Sequence, residues 1–209
     1  MANLVPPIGL GTSDNDDPDR CAATVRTALE IGYRHIDTAQ MYGNERAVGE
    51  GIARADVPRE DVVVATKVHP TNLVGDDVIA TTRESLDRLG LDAVDLLYVH
   101  WPTDAYDPVD TLPAFDALYD DGLVRNVAVS NFTVGLLEEA RAILEAPIVA
   151  NQVEVHPLLP PPRELLAYCS SHDIDVVAYS PFRRGDALDL PAVRAVAERH
   201  NVSPARTTL

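Results

Sequence analysis

Short apolar runs alternate with segments of helical periodicity along the whole chain, and this alternation limits the fold more than any other feature. Asp17 followed by Pro18 places an N-cap residue before a proline, which indicates where the first helix begins. Strands and helices that alternate in this way predict a parallel sheet with right-handed helical crossovers. The predicted strands span residues 7–11, 33–37, 62–67, 94–100, 124–130, 149–155 and 175–180.

A doubly wound sheet and a TIM barrel both fit this alternation. A doubly wound dinucleotide-binding domain carries Gly-x-Gly-x-x-Gly after its first strand. Gly9 and Gly11 are present here, but Asp14 stands at the third glycine position. Polar residues instead follow many different strands, as they do on the active face of a TIM barrel. They are Asp37, Lys67, His100, Ser130, Asn131, Gln152, Glu154, Tyr179 and Ser180. We therefore expect an α/β fold, a (β/α)8 TIM barrel with about seven of its eight strands in this chain.

Length and composition predict one domain, residues 1–209, with a sizeable core, because 46% of the residues are hydrophobic. The 33 acidic residues against 17 cationic ones give a net charge of −16, spread along the chain without a long acidic block. This balance predicts a protein that repels nucleic acid and anionic membranes. It also suggests a salt-rich, halophilic cytosol, although an arginine-biased genome would produce a similar composition.

No secretory signal and no apolar run of the ~20 residues needed for a membrane span are found, so we expect a cytoplasmic location. Cys21 and Cys169 both lie within helical patterns and are predicted to be buried free thiols. The six histidines lack the spacing of metal ligands, so no metal site is expected.

Lys67 is the only lysine beside sixteen arginines, and it ends a β-branched run at a predicted strand terminus. This usage suggests that an ammonium group is required there, since its pKa shifts more readily than that of a guanidinium. Asp37, Tyr42 and His100 lie at or just after neighbouring strands. A nearby ammonium lowers the pKa of a phenol from its usual ~10, and a carboxylate keeps the ammonium charged. A histidine can donate a hydrogen bond to a carbonyl oxygen.

Together with their surroundings, these residues resemble the aldo-keto reductase family. The matching segments follow the family's order and extend from about residue 9 to residue 209. They are residues 32–39, 42–45, 48–49, 65–67, 98–102, 129–132, 151–154 and 178–181.

The resemblance implies a TIM barrel that binds NADPH, or NADH, and reduces an aldehyde, ketone or keto sugar to an alcohol. Tyr42 would protonate the carbonyl oxygen while the nicotinamide delivers hydride. Lys67 and Asp37 would tune Tyr42, and His100 would orient the substrate. Trp101 is predicted to form an aromatic wall at the substrate mouth.

The same resemblance implies the cofactor contacts. Ser130, Asn131 and Gln152 would hold the carboxamide, and Tyr179 would stack on the nicotinamide ring. The pyrophosphate would meet backbone groups near Ser180 and Phe182, with Arg183 or Arg184 assisting; these arginines could equally be a solvated pair. The remaining histidines are interpreted as structural: His35, His69, His156, His172 and His200.

The sequence departs from the family in two places. Ala128 stands where glycine is common, which is a mild change in a strand. Ser203 and Pro204 form a good helix start, but the five residues from Ala205 to Leu209 are predicted to be too few for a stable helix. The family continues with an eighth strand and the segment that grips the 2′-phosphate, so the domain is expected to be C-terminally incomplete. An open barrel would leave its first and last strands with unpaired edges.

Two other readings remain. The chain could be a catalytically inactive truncated barrel that acts as a binding or interaction module. It could also be a sugar-processing barrel with Asp37 and Glu154 as paired carboxylates, although Lys67 beside Asp37 fits that chemistry poorly. For the enzyme, the expected partner is a small-molecule carbonyl substrate, and the full-length protein is expected to be a monomer.

Overall fold

The computed structural model describes residues 5–209, and their centre is one parallel sheet of seven strands. The strands are β1 (Leu10–Gly11), β2 (His35–Asp37), β3 (Val63–Val68), β4 (Leu96–Val99), β5 (Val127–Ser130), β6 (Ile148–Glu154) and β7 (Asp175–Tyr179). The helices are α1 (Pro18–Glu30), α2 (Glu45–Arg54), α3 (Gly75–Leu89), α4 (Pro108–Asp120), α5 (Val134–Ile143), α6 (Arg163–Ser171), α7 (Pro191–His200) and α8 (Pro204–Thr208). Short 3₁₀ turns lie at Gln40–Tyr42, Arg59–Asp61, Pro70–Asn72 and Arg183–Asp189.

Each strand pairs in parallel with the next strand of the sequence, so the sheet order is β1 to β7. The strands curve into a nearly closed barrel with helices outside, which confirms the predicted TIM-barrel class. Within residues 5–209, β1 and β7 do not pair with each other. The β7 residues are accordingly half-buried or exposed, while β4 and β5 are fully buried. All seven carboxyl ends meet on one face, where side chains from distant parts of the sequence come together.

Local sequence signals account for the helix ends. The Asp17 carboxylate caps α1 by accepting a hydrogen bond from the backbone N–H of Arg20 at 2.8 Å, as its pairing with Pro18 predicted. Gly90 ends α3 in the left-handed region at φ 67°, where a residue without a Cβ is favoured.

The end of the described chain differs from expectation. Pro204–Thr208 does form a single helical turn, capped by the hydroxyl of Ser203, which accepts from the backbone N–H of Arg206. The turn packs against α7, and tertiary contacts of this kind replace the length that an isolated helix would need.

Two apolar layers hold the fold together. The larger lies between the sheet and the helices and includes Cys21 and Cys169, both buried and free as predicted. The smaller lies inside the barrel, where Ala65, Ala128 and Tyr98 pack together. The short alanine side chains leave room in the barrel for the ring of Tyr98 and for the side chain of Lys67, whose Nζ atom lies over that ring.

The first five predicted strands begin one to three residues before the observed ones, including two residues at β4 and three at β5. Val94 and Val124 still form an isolated parallel bridge. Between Val94 and the start of β4, the Asp95 carboxylate accepts from the backbone N–H of Val64 at 2.9 Å. A side chain thus takes the place of ladder hydrogen bonds where β-branched composition alone predicted strand.

Across residues 5–209, no helix combines the length and apolar character required to cross a bilayer.

Candidate active site

Four titratable side chains meet at the carboxyl ends of three adjacent strands. Asp37 is the last residue of β2, Lys67 is the penultimate residue of β3, and His100 directly follows β4. Tyr42 ends the 3₁₀ turn that follows β2. The structure therefore brings together all four residues that the sequence predicted as a catalytic group.

Lys67 is completely buried, and its ammonium forms an ion pair with Asp37. The Nζ atom donates to Oδ1 of Asp37 and to the backbone oxygen of Thr38, the latter at 3.0 Å. Asp37 Oδ2 accepts from Nε2 of Gln152 at 2.8 Å. Removing one partner of such a buried ion pair, or replacing it with a side chain of another shape, should destabilise the fold, because the other charge would remain buried without compensation.

Tyr42 lies beside this ion pair. Lys67 Nζ is 5.2 Å from the centroid of the Tyr42 ring, and the ring packs edge-on against His100 with centroids 5.8 Å apart. Burial raises the pKa of Tyr42, while Lys67 acts in the opposite direction. The sequence correctly predicted the sign of the lysine's effect on this pKa, but burial is larger, so the phenol is protonated near neutral pH.

His100 is neutral at the same pH. Burial, and after it the positive charge of Lys67, lower its pKa to about 4. Within the described chain, its Nδ1 atom is buried without a hydrogen-bond partner. A neutral imidazole carries one N–H, so His100 can donate a single hydrogen bond.

A polar chain extends from His100 across the ends of β5, β6 and β7. Asn131 Nδ2 donates to the backbone oxygen of His100 at 3.2 Å and to Oγ of Ser130 at 3.0 Å. Asn131 Oδ1 accepts from the Tyr179 hydroxyl at 3.0 Å, and Ser130 Oγ donates to the backbone oxygen of Gln152 at 2.9 Å. The predicted cofactor residues of these strands are thus neighbours, joined by hydrogen bonds before any ligand is added.

For the loop after β7, the sequence predicts that backbone groups near Ser180 and Phe182 meet a pyrophosphate, with Arg183 or Arg184 assisting. Ser180 and Phe182 line the cavity described below, as does Arg184, whereas Arg183 is not among its lining residues. Arg184 also pairs with Asp14 of the β1–α1 loop at 3.0 Å. Of the two arginines, Arg184 is therefore the one placed to contact a ligand in the cavity.

These groups open into one cavity of about 1110 Å³, which extends from the carboxyl ends of the strands into the gap between β1 and β7. Tyr42 and His100 form part of its wall, and Trp101 stands at the rim with 39% of its surface exposed. The volume is slightly above the ~300–1,000 Å³ typical of ligand pockets.

Other chemistries find less support. Among residues 5–209, no cluster of three or more His, Cys, Asp or Glu side chains is placed to hold a metal ion. Both carboxylate oxygens of Asp37 are engaged, by Lys67 and Gln152, which leaves this residue poorly suited to the paired-carboxylate chemistry of sugar hydrolysis.

Sequence reasoning did not assign roles to several polar residues that support the site. Asn44 is buried and joins the Thr38 hydroxyl, at 2.9 Å, to the backbone oxygen of Thr12, at 2.8 Å. Gln40 and Glu45, on either side of Tyr42, make comparable contacts. In the sequence, Asn44 and Glu45 belong to the segment 42–45 that resembles the family, and Gln40 lies two positions before Tyr42.

Comparisons with known proteins agree with this arrangement. The model of the Aldo/keto reductase family matches residues 7–209, and the chain therefore belongs to that family of oxidoreductases. It is 39% identical over 208 residues to methylglyoxal reductase DkgB of Salmonella typhimurium, covering 98% of this chain and 77% of that protein. It is also 39% identical over 206 residues to glyoxal reductase of Bacillus subtilis, covering 98% of this chain and 74% of that protein.

Solved structures show the same fold. A putative 2,5-diketo-D-gluconic acid reductase B superposes with a TM-score of 0.93 at 35% identity, covering 98% of this chain and 72% of that one. An aldo-keto reductase of Bombyx mori in complex with NADP superposes with a TM-score of 0.89 at 34% identity, covering 98% of this chain and 75% of that one. The chain thus spans about three quarters of the length of these relatives.

Proposed function

We propose that this protein reduces the carbonyl group of a small aldehyde, ketone or keto sugar to an alcohol with NADPH, and that Tyr42 donates the proton. The observation that carries the proposal is the meeting of Tyr42, Lys67, Asp37 and His100 at one end of a single cavity. The named activities of the methylglyoxal and glyoxal reductases support a small, reactive carbonyl compound as the substrate.

The residues around the cavity fit a nicotinamide cofactor. Gln152 donates through Nε2 to Asp37, and its Oε1 makes no hydrogen bond within residues 5–209. That oxygen is free to accept from a carboxamide, beside the polar chain of Ser130 and Asn131. Tyr179 offers an aromatic face, and Arg184 offers a cation for phosphate. When bound, NADPH would supply the hydride for the carbonyl carbon; NADH is the alternative.

The protein's own residues would manage the proton. Because burial keeps Tyr42 protonated, its phenol can transfer a proton to the carbonyl oxygen as that oxygen gains negative charge. Lys67 then stabilises the resulting phenolate, and Asp37 holds the ammonium in place. Neutral His100 would donate a hydrogen bond to the same carbonyl oxygen and orient it. Trp101 would cover the apolar part of the substrate.

The test is NADPH consumption with methylglyoxal as the first substrate, alongside Tyr42→Phe as the matched variant. Phe keeps the ring but not the proton, so we expect the rate to fall by about 10²–10⁴-fold. NADPH binding, followed by quenching of the Trp101 fluorescence, should be unchanged. A Tyr42→Phe rate within threefold of the parent would remove Tyr42 from the role of proton donor. Parallel titrations with NADH would establish the cofactor preference.

A second candidate function, a binding module, rests on the edges of β1 and β7, which do not pair with each other within residues 5–209. Absence of carbonyl reduction in the parent, together with intact NADPH binding, would favour this reading. We propose in addition that the full-length enzyme is a monomer. We also propose that it works in a salt-rich cytoplasm, because a net charge of −16 causes self-repulsion at low salt that added salt screens.

A further inference from the structure

Side chains on both sides of Tyr42 are hydrogen-bonded to residues on both sides of Lys67. Gln40 precedes Tyr42 by two positions and Glu45 follows it by three. Glu45 bonds to Thr66, directly before Lys67, and Gln40 bonds to His69, two positions after it. None of these contacts includes the proposed reacting groups themselves.

The Glu45 contact is the more deeply buried of the two. Glu45 is only 2% exposed although it is the first residue of α2. Its Oε1 accepts from the Thr66 hydroxyl at 2.6 Å, and its Oε2 accepts from Nε of Arg88 at 2.8 Å. A buried carboxylate needs such partners, so α2 is held against β3 at this point.

The Gln40 contact reaches the other side of β3. Gln40 Oε1 accepts from the backbone N–H of His69 at 2.9 Å and from Nδ2 of Asn72 at 3.1 Å. Its Nε2 donates to Oγ of Ser85 at 3.2 Å, and the same oxygen accepts from Nη2 of Arg88 at 3.0 Å. Arg88 therefore joins the Gln40 contact to the Glu45 contact.

This network matters because Tyr42 lies outside the sheet. Lys67 is held in β3 by register with β4, where it pairs with Tyr98. Tyr42 ends a three-residue 3₁₀ turn, and its backbone N–H reaches only Ala39, at 3.0 Å. The distance between phenol and ammonium thus depends on what attaches this turn to β3.

We propose that Glu45 and Gln40 are positioning residues that hold Tyr42 at its working distance from Lys67. This inference rests on the proposed role of Tyr42 as the proton donor. Five charged or titratable groups act on the Tyr42 side chain: Lys67 of β3, Asp37 of β2, His100 after β4, Tyr179 of β7 and Asp14 of the β1–α1 loop. Among these groups, Lys67 stabilises the phenolate form of Tyr42. If the 3₁₀ turn is held less tightly, the distance between Tyr42 and Lys67 increases and this stabilisation weakens.

The test uses two variants of Thr66, one that loses the hydroxyl and one that keeps it but loses the methyl group. Thr66→Val preserves the shape but removes the donor to Glu45, whereas Thr66→Ser keeps the donor. At an effective dielectric constant of ~20, moving an ammonium from ~4 Å to ~6 Å raises a phenol's pKa by about one unit. We expect the Tyr42 pKa to rise by roughly that amount in Thr66→Val and to stay at the parent value in Thr66→Ser.

The pKa is measured without turnover, by NMR titration of protein carrying ring-ζ-¹³C tyrosine, with Tyr42→Phe identifying the signal. In the kinetic measurement, kcat of Thr66→Val should fall about tenfold, while KM for the carbonyl and Kd for NADPH stay within twofold. In the plot of kcat against pH, the basic limb should move to higher pH, because Tyr42 with a raised pKa stays protonated up to a higher pH.

Gln40→Leu is the second variant, and it keeps the inference testable if Thr66→Val fails to fold. Gln40 is half-buried, so leucine fits, and the same rise in the Tyr42 pKa is expected. An unchanged Tyr42 pKa or an unchanged kcat in the folded variants would overturn the proposal. A parent without reductase activity would instead refute the proposed function, and the NMR titration would still decide whether these residues position Tyr42.

Discussion

The buried ion pair of Lys67 and Asp37 allows the sharpest test of how the site is built. The Lys67 side chain has no exposed surface, and that of Asp37 is 13% exposed. Lys67→Met removes the ammonium and leaves the Asp37 carboxylate with Gln152 as its remaining hydrogen-bond donor from a side chain. Asp37→Asn leaves a buried ammonium without its counter-charge. Each single variant should therefore lower the free energy of unfolding more than the double variant does.

Breaking a buried pair typically costs 3–5 kcal/mol, out of a total stability of about 5–15 kcal/mol for a domain. For a chain of this size, 1 kcal/mol corresponds to roughly 2–4 °C in Tm. Each single variant should thus melt about 6–20 °C below the parent. The double variant Asp37→Asn with Lys67→Met should recover part of this loss, because neither charge remains unpaired.

The assay is a double-mutant cycle, with chemical denaturation for the free energy of unfolding and calorimetry for Tm. A matched control is the exposed pair of Arg83 and Asp121, whose side chains are 53% and 60% exposed. Removing Arg83 should cost no more than about 1 kcal/mol. If the double variant loses the sum of the two single effects, the ion pair is not coupled and the reasoning is wrong.

Three further predictions concern the charges of the site and of the surface. Lys67→Arg should abolish most of the activity despite its preserved charge, because a planar guanidinium cannot occupy the ammonium's place between Asp37 and Tyr42; a variant with the parent's rate and pH profile would contradict this. For His100, the folded pKa of about 4 lies below the unfolded value of ~6.5, so falling pH favours the unfolded state through this window. The parent should therefore lose more stability than His100→Gln between pH 6.5 and 4, and equal losses in urea titrations would be the adverse result. With a net charge of −16, the protein should gain Tm as KCl rises, since screening shortens the Debye length from ~30 Å at 0.01 M to ~3 Å at 1 M; a flat or falling Tm would sink the hypothesis of salt adaptation.

The barrel and its four-residue group could be predicted because both follow from local patterns. The period of the apolar residues separates strands from helices, and parallel connection places every strand's carboxyl end on one face. Asp37, Lys67 and His100 each lie within one residue of the carboxyl end of a strand, so their meeting follows from topology alone. The cap of α1 at Asp17 was equally local.

The sequence did not predict the contacts between residues that lie far apart along the chain. Gln152 donates to Asp37 across 115 positions, and Glu45 accepts from Thr66 across 21. Such partners are chosen by how the strands curve and how α2 packs on β3, and no residue spacing encodes these distances. The choice of Arg184 over Arg183 at the cavity wall was decided in the same way, by the backbone path after β7.

The amino-acid sequence by itself determined which groups would meet, namely a phenol, an ammonium, a carboxylate and an imidazole at one end of a parallel barrel. Only the tertiary structure decided the direction in which the pKa values of the phenol and the imidazole are shifted. The proximity of Lys67 predicted a lower pKa for Tyr42, yet the pKa is raised in the folded chain. Burial of the phenol raises this pKa by more than the charge of Lys67 lowers it. Solvent exclusion is a property of the packed molecule, produced by every element around the site, and no single segment of the sequence carries it.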